Sequence, residues 1–150
     1  MKVLVAVQDK ACVESLSNFL LDYPLPEETN LKLVHVIVPL HIASYMNLVS
    51  DEQETSIQDE KLRLGKKYLN QLAKILNVAL ATDKIEELIV EGEPRTALHS
   101  IMEDWQSDLL VVGSHGKQGL MSLGSVSRDL VTDVISTSSR HTLVYKSYLA

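Results

Sequence analysis

Lys2-Val-Leu-Val-Ala-Val7 runs without a polar residue from Val3 onward, and its length and β-branching are those of a strand covered on both faces. Such strands belong to parallel sheets, where each step to the next strand needs a crossover of about a dozen residues or more, usually a helix. The rest of the chain supplies that alternation. After Gln8-Asp9-Lys10, the residues Val13, Leu16 and Leu20 recur at helical spacing and stop before Tyr23-Pro-Leu-Pro26, so a helix of about three turns is expected. Leu31-Lys-Leu-Val-His-Val-Ile-Val38 reads as a second buried strand closed by Pro39.

From His41 to Ser50 no periodicity is visible, which suggests a connection; from Asp51 onward Leu62, Leu69, Leu72 and Leu76 mark one face of a long amphipathic helix. Lys84 to Glu91 reads as strand three. Gly92-Glu-Pro-Arg95 is a turn whose proline suits the first position of a helix, continued by Ala97, Leu98, Ile101, Met102 and Trp105. Ser107 to Val112 is strand four, ending in Gly113, and Thr142 to Tyr148 is strand five, reached through a last helix marked by Val126, Leu130 and Val134. The expected fold class is therefore α/β: one domain over residues 1–150, with a five-stranded, mostly parallel, doubly wound sheet and helices on both faces. Ligands of such sheets bind beyond the carboxyl ends of the strands where the winding reverses, which directs attention to the ends of strands one and four.

Composition narrows the function. A chain of 150 residues buries roughly 70% of its unfolded surface, enough for a core of its own. The net charge of −6 is spread along the chain, which argues against a nucleic-acid partner. The longest apolar runs fall far short of the roughly 20 residues of a membrane span, and the N-terminus opens into strand-like sequence rather than a signal peptide, so a soluble, cytoplasmic protein is expected. Cys12, the single cysteine, reads as a small core residue. The histidines show no metal-ligand spacing and no Gly-x-Ser-x-Gly elbow is present, so neither a metal site nor acyl transfer is expected.

The segment Gly113-Ser-His-Gly-Lys-Gln-Gly-Leu-Met-Ser-Leu-Gly-Ser-Val126 is the strongest candidate site. Its four glycines let bare backbone N–H groups approach a ligand, and Gly124-Ser125 opens a helix whose N-terminus attracts an anion. Composition alone leaves an ordinary flexible loop with a serine cap equally open. The sequence is neither a Walker loop nor Gly-x-Gly-x-x-Gly.

Gly113-Ser-His-Gly116 followed by Gly124-Ser-Val-Ser127, together with Gly92-Glu-Pro94, Trp105-Gln-Ser-Asp-Leu-Leu-Val-Val112, the first strand and Leu33-Val-His-Val-Ile37, resembles the universal stress protein family over nearly the whole chain. The resemblance implies an adenine nucleotide alpha hydrolase-like fold and binding of ATP, with or without Mg2+, through the pattern Gly-x2-Gly-x9-Gly-Ser/Thr. Carried over by position, Gly113 would lie against the ribose, Gly116, Gly124, Ser125 and Val126 would serve the phosphates, and the backbone near Val36 would hold adenine. Two features differ from that pattern. Seven residues separate Gly116 from Gly124, two fewer than in the family, and Gln8 stands where the family has an acid for the ribose hydroxyls, with Asp9 next to it. A glutamine amide still hydrogen-bonds a hydroxyl, without the strength of a charge.

His115 and Lys117 could approach a phosphate, although a solvated side chain is the plainer reading of each. Asp51, Glu52, Glu54, Asp59 and Glu60 suit the N-terminus of the long helix and could also dock a partner. Strand five, if it lies at an edge, could pair with its copy in a homodimer, as the resemblance implies. The functional expectation is a nucleotide-binding stress-response protein, at most a slow hydrolase; the alternative is a dimeric interaction protein of the same family that binds no nucleotide.

Overall fold

A computed structural model describes residues 1–23, 25–39, 51–80, 84–114 and 141–146. In chain order these form β1 (Lys2–Ala6), α1 (Lys10–Asp22), β2 (Asn30–Ile37), α2 (Asp51–Leu80), β3 (Ile85–Glu91), α3 (Pro94–Trp105), β4 (Leu109–Ser114) and β5 (His141–Lys146). The connection from His41 to Ser50 and the helix marked by Val126, Leu130 and Val134 lie outside the described residues. The fold is α/β with a parallel sheet, and the strand order is β3-β2-β1-β4-β5.

Each strand forms where the buried runs predict it. Val3, Leu4, Val5 and Val7 have no exposed surface, and neither have Leu33, Val34, Leu110, Val111 and Val112. Strands this apolar are stable only when both faces are covered. Register and alternation show how. Leu4 pairs with Lys32 and Val5 with Leu33, so Lys2, Leu4, Lys32 and Val34 share one face while Val3, Val5, Leu33 and His35 share the other. On the first face the ammonium groups of Lys32 and Lys2 lie 4.4 and 5.7 Å from the centre of the Trp105 ring of α3. On the second, the His35 ring meets α2 at Tyr68, with ring centres 6.2 Å apart. Helices therefore cover opposite faces.

Leu69, Leu72, Ala73 and Leu76 of α2 and Cys12, Val13, Leu16 and Leu20 of α1 are buried in one core with the strands. Leu62 departs from expectation. It is 36% exposed although it lies on the same arc of α2 as Leu69 and Ala73, because burial begins only at Gly65: none of the described side chains of the helix before it is buried. Strand β4 continues through Gly113 to Ser114, one residue past the expected end, with Gly113 paired to Tyr145 and Ser114 to Lys146 of β5.

The amino ends of the strands are tied by charge. Asp108 donates its N–H to the Lys2 carbonyl at 2.8 Å and accepts from the Lys2 N–H through its carboxylate at 2.8 Å. Lys2 Nζ donates to the Trp105 carbonyl at 3.1 Å, and Lys32, whose side chain is only 12% exposed, lies 3.7 Å from Glu86 of β3. The covered stem of Lys32 thus carries its ammonium to an aromatic face and a carboxylate.

Replacing Leu72, fully buried, by alanine is expected to cost about 2–5 kcal/mol. Val78→Ala, at a position 85% exposed on the same helix, is expected to stay within about 0.5 kcal/mol. Denaturant midpoints of the two variants check the assignment of the core face.

Candidate functional site

The winding reverses between β1 and β4, since β2 and β3 lie to one side of β1 and β4 and β5 to the other. Their carboxyl ends are adjacent: Ala6 pairs with Val112, so Gln8 leaves the sheet beside Gly113 and Ser114, the next residues of β4. Gln8 and Gly113 therefore come together as the sequence suggested. His115, Gly116, Lys117, Gly124, Ser125 and Val126 lie outside the described residues.

The β1 exit is fixed on both sides of Gln8. Val7 donates its N–H to the Val34 carbonyl at 2.8 Å, and its own carbonyl accepts from Nδ1 of His35 at 2.7 Å. Asp9 is the N-cap of α1; its carboxylate accepts from the Cys12 N–H at 3.0 Å, and its carbonyl accepts from the Val13 N–H. By sequence, Asp9 is a possible stand-in for the acid that would face a ribose. The structure instead commits its carboxylate to the helix cap, which satisfies a donor that the helix cannot.

Val36 lies within β2, opposite Val90 of β3, with its side chain buried. Odd residues of β2 turn their peptide groups toward β3: the Leu31 N–H donates to the Lys84 carbonyl, and the Gly92 N–H donates to the Ile37 carbonyl at 3.0 Å. Even residues turn toward β1, as the Asn30 N–H to Met1 and Val34 carbonyl to Val7 bonds show. The peptide groups of Val36 thus face the β1 side, one step beyond the last registered pair, Ala6 with Val34. The following residue pair is held as well, since Lys61 of α2 donates to the Val38 carbonyl at 3.2 Å.

The β3 exit closes this end of the sheet. Gly92 takes a φ of +152°, a conformation that side-chain-bearing residues rarely adopt. Glu93 then caps α3, accepting from the Arg95 and Thr96 N–H groups at 3.1 and 2.7 Å, with Pro94 as the first helical residue. The bond to the Thr96 backbone, above all, holds the Glu93 carboxyl below its ordinary range, with the Thr96 hydroxyl and Arg95 adding to it. Glutamate is not a favoured cap residue, and its role here was not evident from sequence.

Burial, and after it the nearby Asp9 carboxylate, pushes the Cys12 thiol up to about 12. A thiol this hard to ionise is a packing residue rather than a nucleophile. Among the described residues no group of three or more His, Cys, Asp or Glu could hold a metal ion, and no described helix is long and apolar enough to cross a membrane.

Comparison with known proteins gives a consistent result. Residues 1–134 match the model of the universal stress protein family. Universal stress protein A homolog 2 of Coxiella burnetii is 26% identical over 132 residues, 84% of each chain. Universal stress protein MJ0577 of Methanocaldococcus jannaschii is 31% identical over 104 residues, 67% of this chain and 60% of that protein. The solved structure of MJ0577 superposes with a TM-score of 0.75 at 24% identity, covering 99% of this chain and 97% of that one. A universal stress protein in complex with cAMP gives a TM-score of 0.59 at 18% identity, covering 96% and 95%. The Archaeoglobus fulgidus universal stress protein in complex with dAMP gives 0.60 at 18% identity, covering 97% and 98%. These structures share the fold.

Two measurements check the local chemistry. In the native protein at pH 8, Cys12 should react with an alkylating reagent far more slowly than in denaturant, and equal rates would contradict its burial. Glu93→Ala should cost about 0.5–1 kcal/mol near neutral pH. Because the folded carboxyl lies below its unfolded value, that stabilisation is present above the ordinary carboxylate range and disappears as pH falls through the folded value. The gap between wild type and variant in urea titrations should therefore close in acid.

Proposed function

Because the chain belongs to the universal stress protein family, we propose that it is a nucleotide-binding stress-response protein taking ATP or a related adenine nucleotide beyond the carboxyl ends of β1, β2 and β4. The observation that carries this reading is the meeting of Gln8 with Gly113 and Ser114 at the point where the winding reverses. The family's structures with cAMP and dAMP support it. Gln8 would offer its amide to the ribose beside Gly113, and the peptide groups of Val36 would face adenine. Gly116, Gly124, Ser125 and Val126 would donate to the phosphates, with His115 and Lys117 next to them. Mg2+ would accompany the phosphates, which can bind it without a dedicated protein cage.

The reading includes at most slow hydrolysis. Asp9 is engaged as a helix cap, which leaves it poorly suited to activate water. The protein would act in the cytoplasm by changing partner contacts when the nucleotide binds. The place of β5 next to β4 at the end of the strand order supports a homodimer formed through the terminal strand Thr142 to Tyr148, since pairing two edges hides both.

A second reading, a dimeric interaction protein that binds no nucleotide, is favoured by Gln8 in place of an acid, the capping duty of Asp9 and the short Gly116 to Gly124 spacing. Calorimetric titration with ATP and AMP, with and without Mg2+, separates the two. A Kd below about 1 mM is expected, equivalent to roughly −4 kcal/mol or better, and Gly124→Phe should abolish it. The absence of heat and of any thermal shift at millimolar nucleotide would favour the second reading.

A further inference from the structure

A regular parallel ladder between β1 and β2 would continue past Ala6 and Val34. The Val7 N–H already donates to the Val34 carbonyl at 2.8 Å, and the next rung would run from the Val36 N–H to the Val7 carbonyl. The register nevertheless ends at Ala6 and Val34. At the position of the missing rung, Nδ1 of His35 lies 2.7 Å from the Val7 carbonyl oxygen. A carbonyl only accepts, so the ring carries its proton on Nδ1 and donates.

The ring is held in that place by α2. Gly65 is buried against it, and a Cβ built on Gly65 would lie 2.5 Å from Cδ2 of His35 and 3.1 Å from Nε2. Any side chain at 65 would drive the ring away. Tyr68, one turn further along the same helix, meets the ring edge-on at an interplanar angle of 67°. His35 is buried, with 8% of its surface exposed.

We infer that His35 is a positioning residue for the nucleotide site: by taking the Val7 carbonyl it stops the β1–β2 ladder one rung early and keeps the Val36 N–H available to the adenine ring. The inference rests on the adenine placement proposed above, and extends it to a residue that touches neither base nor phosphate. Through Gly65, the same ring links the position of α2 to the β1 exit.

Removing the ring lets the ladder close. In His35→Leu, the Val36 N–H should donate to Val7, so its hydrogen exchange should slow by about tenfold relative to wild type, and AMP affinity should fall by about tenfold, the worth of roughly one hydrogen bond. A merely structural role would speed that exchange instead. His35→Asn places an amide N–H near the position of Nδ1 and should restore both quantities to within about threefold of wild type. Gly65→Ala keeps the histidine but displaces the ring, and should act in the same direction as His35→Leu; it serves if that variant does not fold. Leu72→Ala, which destabilises α2 but keeps His35, Gly65 and Tyr68, should leave AMP affinity unchanged.

Unchanged or faster Val36 exchange in both folded ring variants would overturn the role of His35 in the ladder. Slower exchange with unchanged AMP affinity would overturn the link to adenine. If wild type binds neither AMP nor ATP, the functional reading fails and the link to adenine with it, while the exchange comparison still decides the role of His35.

Discussion

Val7 is held at both of its peptide groups, by Val34 through its N–H and by His35 through its carbonyl, and the exit of β1 at the reversal point depends on that constraint. A residue fixed at both groups cannot move with the loop that follows it. Gln8 then has a fixed predecessor and, in Asp9, a successor locked to the start of α1. The turn that leaves the sheet at the reversal point is in effect an extension of the core. Binding groups placed on such a turn need little ordering when a ligand arrives, which lowers the entropic cost of association.

The two ends of the sheet are built on different principles. At the amino end, charged side chains close the structure: the Asp108 carboxylate on the Lys2 backbone N–H, the Lys2 ammonium on the Trp105 carbonyl, Lys32 with Glu86 and the Trp105 ring, and Lys84 with Glu28 at 2.7 Å. At the carboxyl end, caps and backbone bonds do the work, through Asp9 on α1, Glu93 on α3 and the Gly92 to Ile37 bond. Exits tied by backbone bonds leave room for a ligand to meet peptide groups. The polar partners at the amino end satisfy one another.

The strands were legible because each buried run is apolar on both faces, a pattern that only a covered parallel sheet explains. The strands expected over Lys2 to Val7 and Leu31 to Val38 therefore appear within one residue of those bounds. The buried face of α2 was legible in Leu69, Leu72 and Leu76 and not at Leu62, because periodicity gives the direction of a face and not how far along the helix it is covered; burial begins only at Gly65. His35 escaped for a related reason: a histidine in a strand carries no periodic signal, and its role depends on a carbonyl 28 residues away. Asp9 was seen as a ligand candidate, since the residue type suits a ribose as well as a helix N-terminus; only the geometry of Cys12 separates the two. The glycine pattern carried the family resemblance, while the meeting of Gln8 with Gly113 followed from strand order.

The central claim, that an adenine nucleotide occupies the carboxyl ends of β1, β2 and β4, is tested most directly by mapping backbone amide shifts of the labelled protein as ATP is added. Binding there should move the resonances of Gln8, Asp9, Val36 and Gly113 together, with a common saturation curve, and leave Lys2 and Asp108 at the opposite end in place. Shifts confined to the Lys2, Lys32 and Trp105 end, or no saturable shift at any of the four, would contradict it.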